Sequence, residues 1–393
     1  MKSNLRHLRV FSAVVETGSI TRAAERALIS QPAVTQAVAK LELLAGQPLL
    51  QRTPQAIFAN PAGKILANRI NRAFALLDPA LAELSPRLVL TATAAQLQAL
   101  IATRETENFT LAARRMGLAQ PTVHRAVSQL ELEAGRPLFE RMAHGMSATR
   151  PAQALAQAAR LAFAELTQAE ADLAELSGRE VGRIVVGAMP LSRSYLLPRA
   201  IALFRKHRAT LPIKALDGPY DDLMAGLRRG DVDFLIGALR DPPPIGDIVQ
   251  ERLFDDGLLF VARKDHPILA TPGLGLADLF AYPIVVATEG TPTRRAFDVL
   301  SATYGPAPSL VETGSMILMR ELLRLSDHLG CISQLQIEAE IGLGALVPVP
   351  VDLADTRRPI GLTFRADWQP TRAQADFLED LRDTAAAVLS VPF

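Results

Sequence analysis

Two sets of polar side chains stand at matching places in this sequence. Gln31, Thr35, Gln36 and Lys40 recur at helical spacing. Beginning 89 residues after Gln31 stand Gln120, Thr122, His124, Arg125, Ser128 and Gln129, and each set is followed by an arginine, Arg52 or Arg141. Amides, hydroxyls and cations on one helix face can hydrogen-bond the edges of base pairs, where Gln suits adenine and Arg suits guanine. An arginine beside such a face suits a phosphate, which fixes register without reading sequence. Covalent and metal chemistry find no comparable support. Cys331 is the only cysteine, and His207, His266 and His328 have no evident triad partners. No catalytic residue, zinc cluster, metal or cofactor is therefore expected.

The two sets belong to an internal repeat. Shifted by 89 residues, positions 19 to 52 match at 17 of 34 places without a gap, from Thr21 on Thr110 to Arg52 on Arg141. Residues 1–60 and 91–148 thus read as two copies of one module. In the first, Leu5, Leu8, Phe11, Val14 and Val15 mark one helix, and a short second helix carries Ala23, Ala24 and Ala27. Ser30 can cap the third, with Pro32 in its first turn, where a missing N–H is harmless. Pro121 holds that place in the second copy, where Ala119 replaces the capping serine. Gly46-Gln47-Pro48 ends the helix, and Leu49 to Arg52 with Pro54 to Ala59 reads as a short hairpin. Three helices and a wing result, and the small pair Ala23-Ala24 lets two helices approach closely. A helix-turn-helix does the same when it presents its second helix to the major groove.

These residues resemble the winged helix-turn-helix of the LysR-type transcriptional regulators. The resemblance rests on Gly18-Ser19-Ile20-Thr21-x-Ala23-Ala24, on Ser30-Gln31-Pro32-Ala33-Val34-Thr35, and on Leu41-Glu42 with Gly46, Pro48, Leu49 and Arg52. It recurs in Phe109-Thr110-x-Ala112-Ala113, Gln120-Pro121-Thr122-Val123-His124-Arg125 and Leu130-Glu131 to Arg141. It implies double-stranded DNA as a partner, with Gln31, Pro32, Thr35, Gln36, Lys40 and Arg52 at one interface. Gln120, Pro121, Thr122, His124, Arg125, Gln129 and Arg141 would form the other. The family normally carries one module per chain, so which copy does its work stays open. Arg125, which has no counterpart on the first reading face, favours the second.

Charge and periodicity place the rest. Residues 1–150 hold 18 basic against 10 acidic residues, leaving 24 against 31 for 151–393, as expected when only one part meets a polyanion. Long alanine-rich helices are expected from Pro61 to about Leu84, interrupted by Pro79, and from Pro151 to about Leu176. In the second, Leu155, Ala158, Ala159, Ala162, Leu166, Ala169, Leu173 and Leu176 form an apolar stripe. The resemblance implies that this helix pairs with its copy in another subunit, giving a homodimer or homotetramer; packing on its own chain is the alternative. The boundaries become 1–60, 61–90 (helix and linker), 91–148, 149–178 (linker and dimerisation helix) and 179–393.

From Gly182 short β-branched runs alternate with helices, which is α/β grammar. Strands are expected at 184–187, 213–216, 234–237, 258–262, 284–287 and 346–349, with helices at 194–206, 220–229, 293–303 and 317–325. The order resembles the periplasmic-binding-protein-like effector domain of the same family, with lobe I at about 179–260 and 345–393 and lobe II at about 261–344. The fold class is thus multidomain: two all-α winged helix-turn-helix modules with linker helices, then a two-lobed α/β domain. The resemblance implies a small effector between the lobes, met by loops at strand ends: Ser192, Arg193 and Ser194, Gly237, Thr291 and Thr293, and Ser315. Arg193 and Arg294 could meet an anion. The stretch from Pro219-Tyr220 to Arg358-Pro359-Ile360-Gly361-Leu362-Thr363 resembles the branch named for regulating a galactose-binding protein, implying a sugar or sugar-derived effector; a small organic acid is the other effector class expected.

At 393 residues, 49% hydrophobic and 21% charged, the chain can bury several cores. Its first residues, rich in charge, do not read as a signal peptide, and no apolar run is long enough to span a bilayer. A cytoplasmic regulator without a membrane partner is expected, with RNA polymerase among the contacts the resemblance implies. The competing reading is a constitutive or architectural DNA binder that senses no ligand; a solute receptor or an enzyme fits less well.

Overall fold

The computed structural model of the chain describes residues 4–53, 56–142, 145–243, 246–353 and 356–389, so Pro54 of the expected wing lies outside the described residues. The chain forms two compact units that divide between Arg183 and Ile184. The N-terminal unit runs α1 (Leu5–Thr17), α2 (Ile20–Ala27), α3 (Gln31–Ala45), β1 (Leu50–Arg52), β2 (Ile57–Ala59) and α4 (Pro61–Leu84). A short α5 (Leu88–Thr91) leads into the same order again: α6 (Ala94–Thr106), α7 (Phe109–Met116), α8 (Gln120–Ala134), β3 (Phe139–Met142), β4 (Gly145–Ala148) and α9 (Arg150–Leu176).

Local chemistry explains most of these ends. The Ser19 and Ser30 hydroxyls accept from the Arg22 and Ala33 amides at 3.4 Å, and the Asn108 side chain accepts for α7 at 2.8 and 3.1 Å. Ala119 offers α8 no such side chain. Gly46 and Gly135 close α3 and α8 in the left-handed conformation, at φ 68° and 66°, which glycine adopts without strain. α4 does not break at Pro79 as expected but runs on to Leu84. Its last turns bury Leu77, Leu81 and Leu84, which outweighs the ~3 kcal/mol that an interior proline costs a helix.

Of the two packings open to α9, the described residues show the one within the chain: α9 packs along α4. Arg69 of α4 donates to Glu165 and Gln168 of α9 at 2.9 Å and through Nε to Asp172 at 2.9 Å, while Arg72 forks onto Glu165 with two bonds of 3.1 Å. The residue numbers descend along α9 as they climb α4, so the pair is antiparallel. Leu66, Ile70, Ala73, Phe74 and Leu77 share one core with Leu155, Ala159, Ala162, Phe163 and Leu166. Both modules and both linker helices lie in one compact unit.

The C-terminal unit holds two five-stranded sheets. Around the first lie β5 (Ile184–Ala188), α10 (Pro190–Ser194), α11 (Leu196–His207), β6 (Ile213–Leu216), α12 (Tyr220–Arg229), β7 (Phe234–Ala238) and β8 (Ile248–Asp256). Around the second lie β9 (Leu258–Ala262), α13 (Leu276–Leu279), β10 (Ile284–Val286), α14 (Pro292–Tyr304), β11 (Leu310–Glu312), α15 (Met316–Leu325), β12 (Leu329–Ser333), α16 (Gln334–Gly342) and β13 (Val347–Pro348). β14 (Arg358–Arg365) returns to the first sheet and α17 (Arg372–Leu389) packs on it. The orders are β6-β5-β7-β14-β8 and β11-β10-β12-β9-β13. The first crossing is at Gly257 and the second between β13 and β14, so 258–260 and 345–348, assigned above to lobe I, lie with the second sheet. Strands β8, β11, β12 and β14 and helices α16 and α17 were not among the expected elements.

Candidate nucleic-acid interface and inter-lobe seam

The third helices of the two modules are built alike. α3 buries Val34, Ala37, Val38 and Leu41, and on its other side Gln31, Pro32, Thr35, Gln36 and Lys40 are exposed. α8 buries Val123, Val127 and Leu130 and exposes Gln120, Pro121, Thr122, His124, Arg125 and Gln129, with Ser128 half-buried. Arg52 ends β1 and Arg141 lies in β3, both exposed. The set is not uniformly free. The Thr35 hydroxyl donates back to the Gln31 carbonyl at 3.2 Å, and the His124 ring packs edge-on to Phe109 at 4.9 Å with the Ser128 hydroxyl 3.5 Å from Nδ1. His124 is thereby oriented on the helix surface.

Glu42 and Glu131, noted above only as part of the motif, fix the wings. Glu42 Oε1 accepts from the Leu49 and Leu50 amides at 2.9 and 3.3 Å, and Glu131 Oε1 from the Leu138 and Phe139 amides at 2.8 and 3.3 Å. A carboxylate holding two backbone donors ties each reading helix to the strand that bears Arg52 or Arg141. Their identity in both copies, seven residues ahead of a leucine, was the available signal.

In the C-terminal unit the predicted side chains mostly serve the backbone. The Ser192 hydroxyl, buried, donates to Met189 at 2.8 Å, and Ser194 to Leu191 at 3.3 Å. Thr291 and Ser315 cap α14 and α15, accepting at 3.2 Å from the Arg294 and Leu318 amides. Gly237 lies against Met189, whose side chain would stand 2.6 Å from any added Cβ. Arg193 pairs with Asp217 at 2.8 Å, and Arg294 with Asp298 at 2.8 Å and with Glu312, so both expected anion contacts are already held by carboxylates.

Thr293 is different, because its hydroxyl accepts from Nη2 of Arg358 at 3.1 Å. Arg358, at the start of β14, also lies 3.2 Å from Asp256, which in turn accepts from the Ser333 hydroxyl at 2.7 Å and the Leu335 amide at 3.1 Å. This knot joins the two sheets where the chain crosses. Burial pushes the Asp256 carboxyl up and the Arg358 guanidinium down from their ordinary values, against their mutual attraction. Nε and Nη1 of Arg358 are buried without a hydrogen-bond partner among the described residues. Nothing in the local sequence marks Arg358 as buried.

The isolated titratable groups have structural surroundings. His207 lies 3.0 Å from Asp380, His266 accepts from the Ile268 amide at 3.1 Å, and His328 is 2.8 Å from the Ser326 hydroxyl. Burial pushes the Cys331 thiol up to about 12. Among the described residues no group of side chains could hold a metal ion, and no helix is long and apolar enough to cross a membrane.

Comparison with known proteins agrees with this organisation. The family described as "Bacterial regulatory helix-turn-helix protein, lysR family" matches twice, at residues 5–64 and 94–153, and "LysR substrate binding domain" matches residues 177–386. The HTH-type transcriptional regulator GalR of Pseudomonas putida is 35% identical over 374 residues, covering 92% of each chain. PcaQ of Agrobacterium fabrum is 31% identical and covers 94% of its own length but 74% of this chain. In fold, a full-length OxyR variant from Pseudomonas aeruginosa gives a TM-score of 0.54 at 22% identity over 74% of this chain and 93% of its own. CbnR complexed with its target DNA gives 0.51 at 19% over 74% and 98%. This chain belongs to the LysR family of bacterial transcriptional regulators: a DNA-binding regulator and no enzyme, with two helix-turn-helix modules ahead of one substrate-binding domain.

Proposed function

We propose that the chain reads duplex DNA in a sequence-specific way through both modules and answers to a small organic molecule bound between the lobes of its C-terminal unit. The observation that carries the DNA reading is the matched pair α3 and α8, each apolar on the buried side and polar on the exposed one. On this reading Gln31, Thr35, Gln36 and Lys40, and Gln120, Thr122, His124, Arg125 and Gln129, meet base edges, with Pro32 and Pro121 against the groove. Arg52 and Arg141 hold phosphates. Arg125→Ala should weaken binding to the selected site by about 1–3 kcal/mol and Gln36→Ala by less, measured at one fixed salt concentration. The reverse ranking would refute the leading role of the second module.

For the effector, Arg358, with two buried donors unpartnered among the described residues beside Thr293, favours an oxygen-rich anion, a small organic acid over a neutral sugar. Ser192, Arg193, Ser194, Gly237, Thr291 and Ser315 supply the surrounding loops. Such a ligand acts by binding one lobe or subunit arrangement more tightly than another. The protein would work in the cytoplasm as an even-numbered homo-oligomer, with RNA polymerase among its contacts. Thermal unfolding with a panel of sugars and carboxylic acids tests this half. A rise in the C-terminal transition with a carboxylic acid supports the reading, and no shift with any compound favours a constitutive DNA binder.

A further inference from the structure

We propose that a single chain is a complete two-box DNA reader: α4 and α9 pair within the chain, and the two boxes it reads have different base sequences. This rests on the DNA-binding reading above. The first support is that the pairing is built for unlike helices. Arg69 and Arg72 stand on α4, where the equivalent positions of α9 are Ala158 and Leu161. Glu165 and Gln168 stand on α9, where α4 has Leu76 and Pro79. In the same antiparallel register, two copies of α9 would bury Glu165 against alanine and leucine. Two copies of α4 would set Arg69 and Arg72 against Leu76 and Pro79, leaving Arg69 only Glu83 at the place of Asp172 and Arg72 no carboxylate at the place of Glu165. The side chains of Arg69 and Glu165 are only 3% and 7% exposed, so either like pairing strips buried charge of partners that the unlike pairing supplies.

The second support is a pair of equivalent cross-braces. Gln47, at the end of the first reading helix, donates to the Leu173 carbonyl of α9 at 2.9 Å. Its counterpart 89 residues on, Arg136, donates to the Glu83 carbonyl of α4 at 3.1 Å. Each module thus grips the last turn of the helix that follows the other module. The antiparallel register sets Phe74 opposite its equivalent Phe163, so the modules are related by an approximate twofold. In dimeric helix-turn-helix proteins a twofold relation places two reading helices on two half-sites. Here the faces differ at Gln36 against Arg125, Lys40 against Gln129 and Thr35 against His124, while Gln31 and Gln120 are shared. The boxes should agree where the shared glutamine reads and differ where Gln36 and Arg125 do.

The test is selection from a random duplex library at fixed salt by the full chain, by Gln36→Ala and by Arg125→Ala, followed by affinity for each selected box. The proposal expects two unlike boxes in inverted orientation, with each variant losing preference at one box only, about tenfold for Arg125→Ala and less for Gln36→Ala. Two like boxes, both damaged by Arg125→Ala and neither by Gln36→Ala, would overturn it in favour of one module from each of two chains. Failure of the parent chain to select any sequence would instead overturn the DNA-binding reading itself. Both substituted side chains are exposed, so unfolding does not confound the comparison.

Discussion

The two modules of the N-terminal unit have the same elements in the same order, yet they have diverged in three separable ways. The first copy carries the better core: Phe11 and Val14 are fully buried where the second has Leu100 and Thr103, and the Thr103 hydroxyl is buried without a partner among the described residues. The first also keeps the Ser30 cap that Ala119 lacks. The second carries the arginine best suited to guanine. On these residues the first copy is the better built and the second the better equipped to read, and the cluster around Arg69 and Glu165 makes each depend on the other. A repeated module need not keep two equal functions once its copies pack together.

That comparison can be broken or sharpened by substitution, and the effects fall in a clear order. Glu165→Ala should be largest. It leaves Arg72 without its forked partner and Arg69 with one carboxylate fewer, and should cost about 3 kcal/mol in the N-terminal transition seen by calorimetry. A change within ~0.5 kcal/mol would mean that the linker pair does not couple the modules. Next comes Thr103→Val, which copies the residue found at Val14 and removes a buried hydroxyl that has no partner among the described residues. It should gain about 1 kcal/mol, and a loss would show that the hydroxyl has a partner in solution. Smallest is Ala119→Ser, which transplants the Ser30 cap onto α8 and should gain about 0.5–1 kcal/mol, with Ser30→Ala losing a similar amount.

Much of this was legible in the sequence because the repeat doubled every signal. Ser30, Pro32, Gly46 and the apolar spacing of α1 mark the helix-turn-helix without any fold knowledge, and the second copy repeats most of them. The partner of α9 was not legible from its apolar stripe, since such a stripe packs equally well on its own chain or on another. The information lay in which charges lacked counterparts 89 residues away, Arg69 and Arg72 on one helix and Glu165 on the other. Pro79 misled because a local penalty was outweighed by burial beyond it. β8 was missed because it is an edge strand carrying Gln250, Glu251, Arg252 and Asp255, and β12 because Leu329-Gly330-Cys331 lacks β-branched residues. The Arg358 knot joins residues from β8, α14, β12 and β14, which only the crossing chain brings together.

The most direct test of the central claim, that the two modules pair inside one chain, is amide hydrogen exchange along α4 and α9 across about a thousandfold dilution of the full-length protein. Pairing within the chain predicts that protection at Ile70, Ala73 and Leu77 of α4 and at Ala159, Ala162 and Leu166 of α9 is unchanged by dilution. Protection that falls together on both helices as the protein is diluted would show that the partner comes from another molecule, and would contradict the account.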